Sequence, residues 1–350
     1  MKIPIQNIYF LLCYAWNKLD ERDIVDVSGI DSTKIMDLFA KVLIGGLTHL
    51  LKRGMDRGYV IHSEETRCLR GKVCFSPTIK QNLLIQAKVV CEYDELSHDV
   101  LHNRILKETI RLLMTVDTLD ADLKAQLVGF YRRLNEITEI TLSSRVFSLV
   151  QLNRNTSFYD FLLKICELIY DNLLVTENSG SSKFKDFIQD ERQMAYLFEE
   201  FVRNFYKLEA PGYNVGREDI SWHATALDEN AQQFLPKMTT DISIEGADSK
   251  IVIDTKYYKE ALVSHFGQDK IRADHLYQLN AYLSNLEYKG GLNTNCSGVL
   301  LYPTVSDNFC LPYAFGNHKV TACTINLNQD WEGIHSDLIN LLENSISVIN

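Results

Sequence analysis

The sequence predicts an α/β chain, α+β overall: a mostly helical N-terminal module with a small β region, then a domain built on a central mixed sheet flanked by helices. Three observations predict it. Apolar residues recur at helical spacing through much of residues 33–175. Two strand-like runs, Met238–Ile244 and Ile251–Tyr257, sit between amphipathic segments at 193–207 and 274–286. Between the halves lies Thr176-Glu177-Asn178-Ser179-Gly180-Ser181-Ser182, the most linker-like stretch of the chain. The domain boundary is therefore set there, giving residues 1–180 and 181–350, each long enough for its own core.

Taken in order, Ile8 to Trp16 reads as a short helix with Asn7 as its cap. Thr33 to Leu51 carries Ile35, Leu38, Phe39, Val42, Leu43, Leu47 and Leu50 at helical spacing. Tyr59-Val60-Ile61, Val73-Cys74-Phe75 and Ala87–Tyr93 read as short strands between turns. Helices resume over Asp99–Met114, Ala121–Ile137 and Phe158–Val175. In the second half Gln193–Lys207 puts Met194, Leu197, Phe198, Phe201, Val202 and Phe205 on one face. The paired strand runs turn around Glu245-Gly246-Ala247-Asp248, Asp274–Leu286 is a helix, Gly298–Tyr302 is a buried strand stopped by Pro303, and Trp331–Ile346 is a closing helix.

Composition narrows the function. The chain has 350 residues, 46% hydrophobic and 23% charged, with a formal net charge of −10. A free-standing DNA-binding protein usually carries a basic excess, because Lys and Arg must displace phosphate counterions. An acidic chain that works on nucleic acid needs a partner to supply much of the grip. None of the eight cysteines forms a CxxC pair, which argues against a zinc site and for small buried hydrophobes in a reducing compartment. Leu, not a small residue, precedes Cys13, so no lipoprotein box is formed, and no apolar run is long enough to span a bilayer. A cytoplasmic protein without membrane contact is expected.

The chemistry gathers in Leu235-Pro236-Lys237-Met238-Thr239-Thr240-Asp241 and Ile251-Val252-Ile253-Asp254-Thr255-Lys256. A strand period of two puts Asp254 and Lys256 on one face, and the hairpin can bring Asp241 alongside. Two carboxylates supply hard oxygen ligands for Mg²⁺. A metal so held lowers the pKa of a bound water and offsets charge on a scissile phosphate, while Lys256 can orient the attacking water. A bare D-x₁₂-D-x-K string is short and common, and ordinary charges at strand ends also produce it. Context strengthens it. Gln278 and Tyr282, four apart on the next helix, share one face. Glu199 and Glu200 lie off the apolar stripe of their helix, and Glu199 is the choice for a further carboxylate. Lys259, Lys270 and Arg272 flank the hairpin as possible phosphate contacts.

A Gln-x₃-Tyr helix after an Asp-x-Lys strand resembles the RecB-like branch of the PD-(D/E)xK nucleases, which implies a restriction-endonuclease-like domain for residues 181–350. The resemblance narrows further. Ile3-Pro4-Ile5-Gln6-Asn7-Ile8-Tyr9 through Tyr14-Ala15-Trp16 looks like the start of the McrC family, the nuclease subunits of the McrBC modification-dependent restriction systems. Tyr93-Asp94-Glu95-Leu96 with Asn103-Arg104-Ile105-Leu106-Lys107 is similar to its middle region. Leu235–Asp241, Asp254–Tyr258, Leu276–Tyr282 and Leu301-Tyr302-Pro303 are similar to its nuclease half. The resemblance implies a catalytic set of Asp241, Asp254 and Lys256, with Gln278 and Glu199 joining it, Mg²⁺ at Asp241 and Asp254, and Thr255 at a free middle position. It implies an McrB-like AAA+ GTPase ring as partner, entered by residues 1–180 and stimulated by them. It also implies cleavage of double-stranded DNA containing methylated cytosine.

The chain has no G-x₄-G-K-[ST] phosphate loop, so GTP is expected on the partner. Two other functions stay open at this point: an assembly factor and NTPase activator in which cutting is secondary, and a RecB-like repair nuclease acting alone. His98-Asp99-Val100-Leu101-His102 has the His spacing of a zinc-protease helix, but Asp replaces the general-base Glu and no third ligand is marked. Asn103, Arg104 and Lys107 are candidates for touching the ring, as are the polar residues of any helix surface.

Overall fold

Helix α1 (Ile5–Ala15) begins three residues before the expected start. Pro4 holds the N-cap position, and its carbonyl accepts from the Ile8 N–H at 3.1 Å. Asn7 is therefore not a cap. It is buried inside the helix, and its Nδ2 donates to the carbonyls of Leu327 at 2.9 Å and Gln329 at 2.8 Å. These come from a computed structural model, which describes residues 3–19, 35–153, 156–175, 182–184, 190–228, 231–258, 262–265, 268–306 and 308–346. The chain divides into two units: residues 1–22, 28–33 and 186–350 in one, and 23–27 and 34–185 in the other. The expected N-terminal module thus loses its first helix to the other unit. Most of the expected linker, 176–181, lies outside the described residues. Among the described residues no helix is long and apolar enough to cross a membrane.

The middle unit holds α2 (Ile35–Arg53), β1 (Gly58–Thr66), β2 (Lys72–Val73), α3 (Phe75–Lys80), β3 (Val89–Ser97), α4 (Leu101–Met114), α5 (Ala121–Arg133), α6 (Ser144–Ser148), α7 (Ser157–Asn172), β4 (Leu173–Val175) and β5 (Ser182–Phe184). Strands order as β1-β3-β2, all antiparallel. The strand expected at Val73–Phe75 stops at Val73, and Phe75 opens a helix with Cys74 at its N-cap position. The strand expected from Ala87 starts at Val89, because Ala87 adopts a left-handed φ of 53°. Asp120 starts α5, its carboxylate accepting from the N–H groups of Asp122 and Leu123, both at 3.0 Å. Helix α7 ends at Asn172, and the three residues Leu-Leu-Val that the periodicity assigned to it form β4.

The histidine pair in this unit is structural. His98 Nε2 accepts from Arg57 Nε at 2.9 Å, and His102 Nε2 lies 3.0 Å from Asp56 Oδ2. Asp99 between them receives Arg104 at 2.8 and 2.9 Å and the Thr138 N–H at 2.7 Å. Despite partial burial, those hydrogen bonds hold its carboxyl down at about 2. Asn103 donates to His98 O at 2.8 Å and Lys107 to Ile137 O at 2.6 Å. Asn103, Arg104 and Lys107 are thus engaged within the unit.

The other unit adds to α1 the elements α8 (Glu191–Glu209), β6 (Asn214–Gly216), β7 (Asp219–Ile220), β8 (Met238–Thr239), β9 (Ile242–Glu245), β10 (Lys250–Thr255), β11 (Leu262–His265), β12 (Gln268–Ile271), α9 (Ala273–Glu287), β13 (Ser297–Thr304), β14 (Cys310–Phe315), β15 (His318–Asn326) and α10 (Trp331–Ile346). The main sheet runs β14-β15-β13-β10-β9-β6. β10–β13 and β13–β15 are parallel and the remaining pairs antiparallel, so the sheet is mixed as expected. Strand β10 is buried along nearly its whole length, which suits its Ile-Val-Ile run for a central position covered on both faces. Val252, Leu300, Tyr302, Val320 and Ala322 pack with Leu279, Tyr282, Leu283 and Leu286 of α9. Gly298 permits that approach: a Cβ there would lie 2.8 Å from Leu283 Cδ1. Helix α1 packs on α8. Phe10 stacks on Trp331 at 4.7 Å, Tyr14 meets Phe201 at 5.8 Å and Phe205 at 5.4 Å, and Asn204 Nδ2 donates to the Ala15 carbonyl at 2.9 Å. Each large apolar side chain buried this way contributes about 1.5–3 kcal/mol.

Two strand expectations are corrected. Pro303 does not stop its strand; β13 continues to Thr304. Leu301 turns its carbonyl toward β10, accepting from the Lys256 N–H at 2.9 Å. By parity residue 303 faces the same side, where β10 has already ended, so the missing N–H of proline leaves no partner unsatisfied. The run Met238–Ile244 is not one strand. β8 pairs with β7 in a separate two-stranded ladder, and β9 joins the main sheet. Thr240 N–H donates to Glu218 O, and Glu218 N–H donates to Thr240 Oγ1, both at 2.9 Å. The chain changes ladders at Thr240–Asp241.

Candidate active site

The ladder change places Asp241. The β9–β10 register ends at Ile242 opposite Ile253, so the next rung would set Asp241 opposite Asp254. Instead of continuing backbone pairing, Asp241 Oδ2 accepts from the Thr255 N–H at 2.8 Å and from Thr255 Oγ1 at 3.0 Å. Thr255 therefore orients Asp241 and is not an idle spacer. Oδ1 of Asp241 has no hydrogen-bond partner among the described residues.

Asp254 is fully buried. Lys256 Nζ stands 2.9 Å from its Oδ2, while Oδ1 is buried without a hydrogen-bond donor. Burial pushes the Asp254 carboxyl up to about 7; the Lys256 charge opposes this, and the charges of Asp241 and Glu199 add to it. Burial pulls the Lys256 ammonium down, but the carboxylates of Asp254 and Asp241 outweigh it and hold it above its ordinary value.

Lys256 is steered from α9. Its Nζ donates to Gln278 Oε1 at 2.9 Å, Gln278 Nε2 donates to Tyr282 Oη at 2.6 Å, and Tyr282 Oη donates to the Thr239 carbonyl at 3.1 Å. This relay runs from the catalytic lysine candidate back to β8, the strand that delivers Asp241. Beside it, Trp222, Pro236, Thr239, Gln278 and Tyr282 border an open cavity of about 430 Å³.

Glu199 is held rather than free. Its Oε1 accepts from Arg203 Nη1 at 2.9 Å and Arg217 Nε at 3.0 Å, and Glu200 is bound by the same two arginines. Arg203 is buried and also donates to the Asp241 carbonyl at 3.3 Å. Of the two glutamates, Glu199 is the one whose charge acts on Asp254. Arg272 lies with its guanidinium 4.6 Å from the Tyr258 ring centre, and Lys270 is exposed. Lys259 lies outside the described residues.

The structure thus brings Asp241, Asp254, Lys256 and Gln278 together and sets Glu199 within electrostatic reach. Sequence reasoning missed Thr255, Arg203 and Arg217. A Glu199-x₃-Arg203 helical pair was a visible signal for one of them; Arg217 and Thr255 depend on how the chain turns between β8 and β9.

As for a metal, the donor set is all oxygen, which suits Mg²⁺. A buried carboxylate oxygen without a donor, crowded by two further negative groups, would be relieved by a cation. The residues fit.

Comparisons with known proteins bear on the family of the chain. Residues 7–303 match the family model described as McrBC 5-methylcytosine restriction system component. The chain is 31% identical over 341 residues to the Type IV methyl-directed restriction enzyme EcoKMcrBC of Escherichia coli (strain K12), covering 97% of each. Its fold is similar, at a TM-score of 0.62 and 18% identity, to a chain of the refined half-complex from the tetradecameric assembly of Thermococcus gammatolerans McrB AAA+ hexamers with bound McrC. That likeness covers 97% of this chain and 76% of the other.

Proposed function

The chain belongs to the McrBC 5-methylcytosine restriction system component family, and on that premise we propose that it is the cutting subunit of a modification-dependent restriction complex. In this reading its C-terminal half is a PD-(D/E)xK nuclease that hydrolyses phosphodiester bonds of DNA containing methylated cytosine. Its partner is an McrB-like AAA+ ring that binds and hydrolyses GTP and is stimulated by this chain.

The observation that carries the reading is the buried Asp254 carboxylate, facing Lys256 and one ladder rung beyond Ile253, at the place the register assigns opposite Asp241. Asp241 and Asp254 would hold Mg²⁺. When bound, the ion supplies positive charge that lowers the pKa of a water and stabilises the pentavalent phosphate. Lys256, fixed by Asp254 and Gln278, donates hydrogen bonds toward the attacking water or the scissile phosphate. Tyr282 holds Gln278, and Thr255 holds Asp241 in the orientation that keeps Oδ1 open. Glu199 adds negative charge near the metal position, balanced by Arg203 and Arg217. The acidic balance of the chain supports delivery to DNA by a partner.

The test is cleavage of methylated against unmethylated DNA with Mg²⁺, with and without the ring and GTP. The methylated substrate is expected to be cut only when all are present. Asp254→Ala is expected to abolish cutting while the variant still binds the ring and stimulates its GTPase. Normal cleavage by that variant would sink the assignment. Efficient cutting of unmodified DNA by the isolated chain would favour a stand-alone repair nuclease.

A further inference from the structure

Two cysteines outside the candidate active site face each other across the edge of the main sheet. Cys310 in the edge strand β14 and Cys323 in β15 are Cα partners. Thr324 N–H donates to Phe309 O at 3.0 Å, so the adjoining rung is a hydrogen-bonded pair. Rungs of an antiparallel ladder alternate, which makes 310–323 a non-hydrogen-bonded pair, the kind whose Cα atoms stand about 4.5 Å apart with side chains closest. A disulfide spans Cα separations of about 4.4–6.8 Å, so the two sulfurs can be joined without moving either strand. Both residues open into a cavity of about 460 Å³ that Pro312, Thr321, Leu341 and Asn344 also line.

The environments of the two differ. Cys310 is exposed and Cys323 is buried. A hydrogen bond from Cys323 holds the Cys310 thiol below its ordinary value against partial burial, and the Lys319 charge adds to the effect. The same hydrogen bond, with burial, keeps the proton on Cys323. One sulfur is thus accessible and nucleophilic, and the other is protected and adjacent. Cys323 is also the ladder partner of Leu301, whose carbonyl receives the Lys256 N–H.

We propose that Cys310 and Cys323 form a dithiol modification site that reacts with a hydroperoxide and closes to an intramolecular disulfide. The Cys310 thiolate sulfur attacks the terminal peroxide oxygen. The O–O bond breaks, the leaving oxygen departs as alkoxide (hydroxide from hydrogen peroxide) and takes a proton from solvent, and Cys310 is oxidised by two electrons to the sulfenic acid. The Cys323 sulfur then attacks the Cys310 sulfur, the S–O bond breaks, and the released hydroxide takes the Cys323 proton as water. With hydrogen peroxide, two thiols and one peroxide give one disulfide and two waters. The product ties β14 to the rung that continues through Leu301 to the backbone of Lys256. It does not depend on the nuclease reading, since neither cysteine belongs to that site.

The full-length protein, treated with hydrogen peroxide and then alkylated under denaturing conditions, tests this by peptide mass mapping. A Cys310–Cys323 cross-linked peptide is expected, the two thiols disappearing from the alkylated pool together and returning together with dithiothreitol. In Cys310→Ser, an exposed position, Cys323 is expected to stay alkylatable after the same treatment. The proposal is overturned if Cys310 passes to sulfinic acid while Cys323 remains a free thiol. It is equally overturned if Cys310 pairs with the exposed Cys68, or if both thiols survive at a peroxide dose that oxidises Cys68.

Discussion

Thr255 stands between the two residues of the Asp-x-Lys pair, and its hydroxyl and N–H both bind Asp241. Thr255→Val keeps the N–H and loses the hydroxyl. One hydrogen bond of about 1 kcal/mol, expressed in the orientation of the proposed metal ligand, predicts a fall of about fivefold to tenfold in single-turnover cleavage. Thr255→Ser should recover most of it. Equal rates for Thr255→Val and the native chain would show that Asp241 needs no such support. The pair Asp254 and Lys256 was legible because a period of two is a property of any strand. The role of Thr255 was not, because it arises only where Asp241 leaves the backbone ladder.

His275 gives a residue-scale prediction of another kind. It is buried, with Nδ1 2.9 Å from the Tyr302 hydroxyl, and burial, aided by the charges of Lys256 and Arg272 against that of Asp274, brings it down to about 4. Between that value and 6.5 the unfolded chain carries the proton and the folded chain does not. Stability therefore rises with pH across that window and is lost as pH falls through it from 6.5. Relative to His275→Gln, the native chain should lose about 2 kcal/mol between neutral pH and about pH 5 in urea denaturation. A difference between the two proteins that does not change with pH would contradict this.

At the scale of elements, helices were read from periodicity with ends mostly within a few residues, because one apolar stripe is a strong signal. The strands were harder. The β-like run Met238–Ile244 carries no mark of the ladder change at Thr240, whose amide and hydroxyl both bond to the backbone of Glu218. Strands β14 and β15 were not read at all: β14 is exposed along most of its length and follows no clear alternation of polar and apolar residues. Asn7 was misread for a related reason. Asparagine before an apolar run is a good cap on local grounds, but its side chain is claimed by carbonyls more than three hundred residues away. Asn7→Ala leaves both carbonyls without this buried donor and should cost about 1–3 kcal/mol, read as a fall in melting temperature. A variant that melts with the native protein would mean that water replaces the amide at no cost.

For the whole molecule, the expected single cut near residue 180 differs from the division observed, in which the units change between 185 and 186 and again near the start of the chain. The C-terminal unit takes α1 from the opposite end of the chain. Nothing local to Ile5–Ala15 records that, since an amphipathic or apolar helix does not name its partner. A fragment of residues 186–350 is therefore expected to expose the faces of Phe201, Phe205 and Trp331 that α1 covers. It should bind a hydrophobic dye and melt without cooperativity, whereas the same fragment fused to residues 1–22 through a flexible linker should melt cooperatively. A cooperative transition in the bare fragment would show that α1 is dispensable.

That arrangement also sets an order of events during synthesis. Helix α1 leaves the ribosome among the first segments, while the turn after β15 and helix α10, against which Asn7 and Phe10 rest, leave among the last. At roughly 5–20 residues per second, α1 waits on the order of 15–60 s for the surface it completes. A chain broken off before α10 holds every residue of the Asp241–Lys256 hairpin but cannot assemble the unit around it. Under the proposed nuclease reading, interrupted translation should thus release no active cutter, because the proposed site is completed only in chains that also carry the whole middle unit.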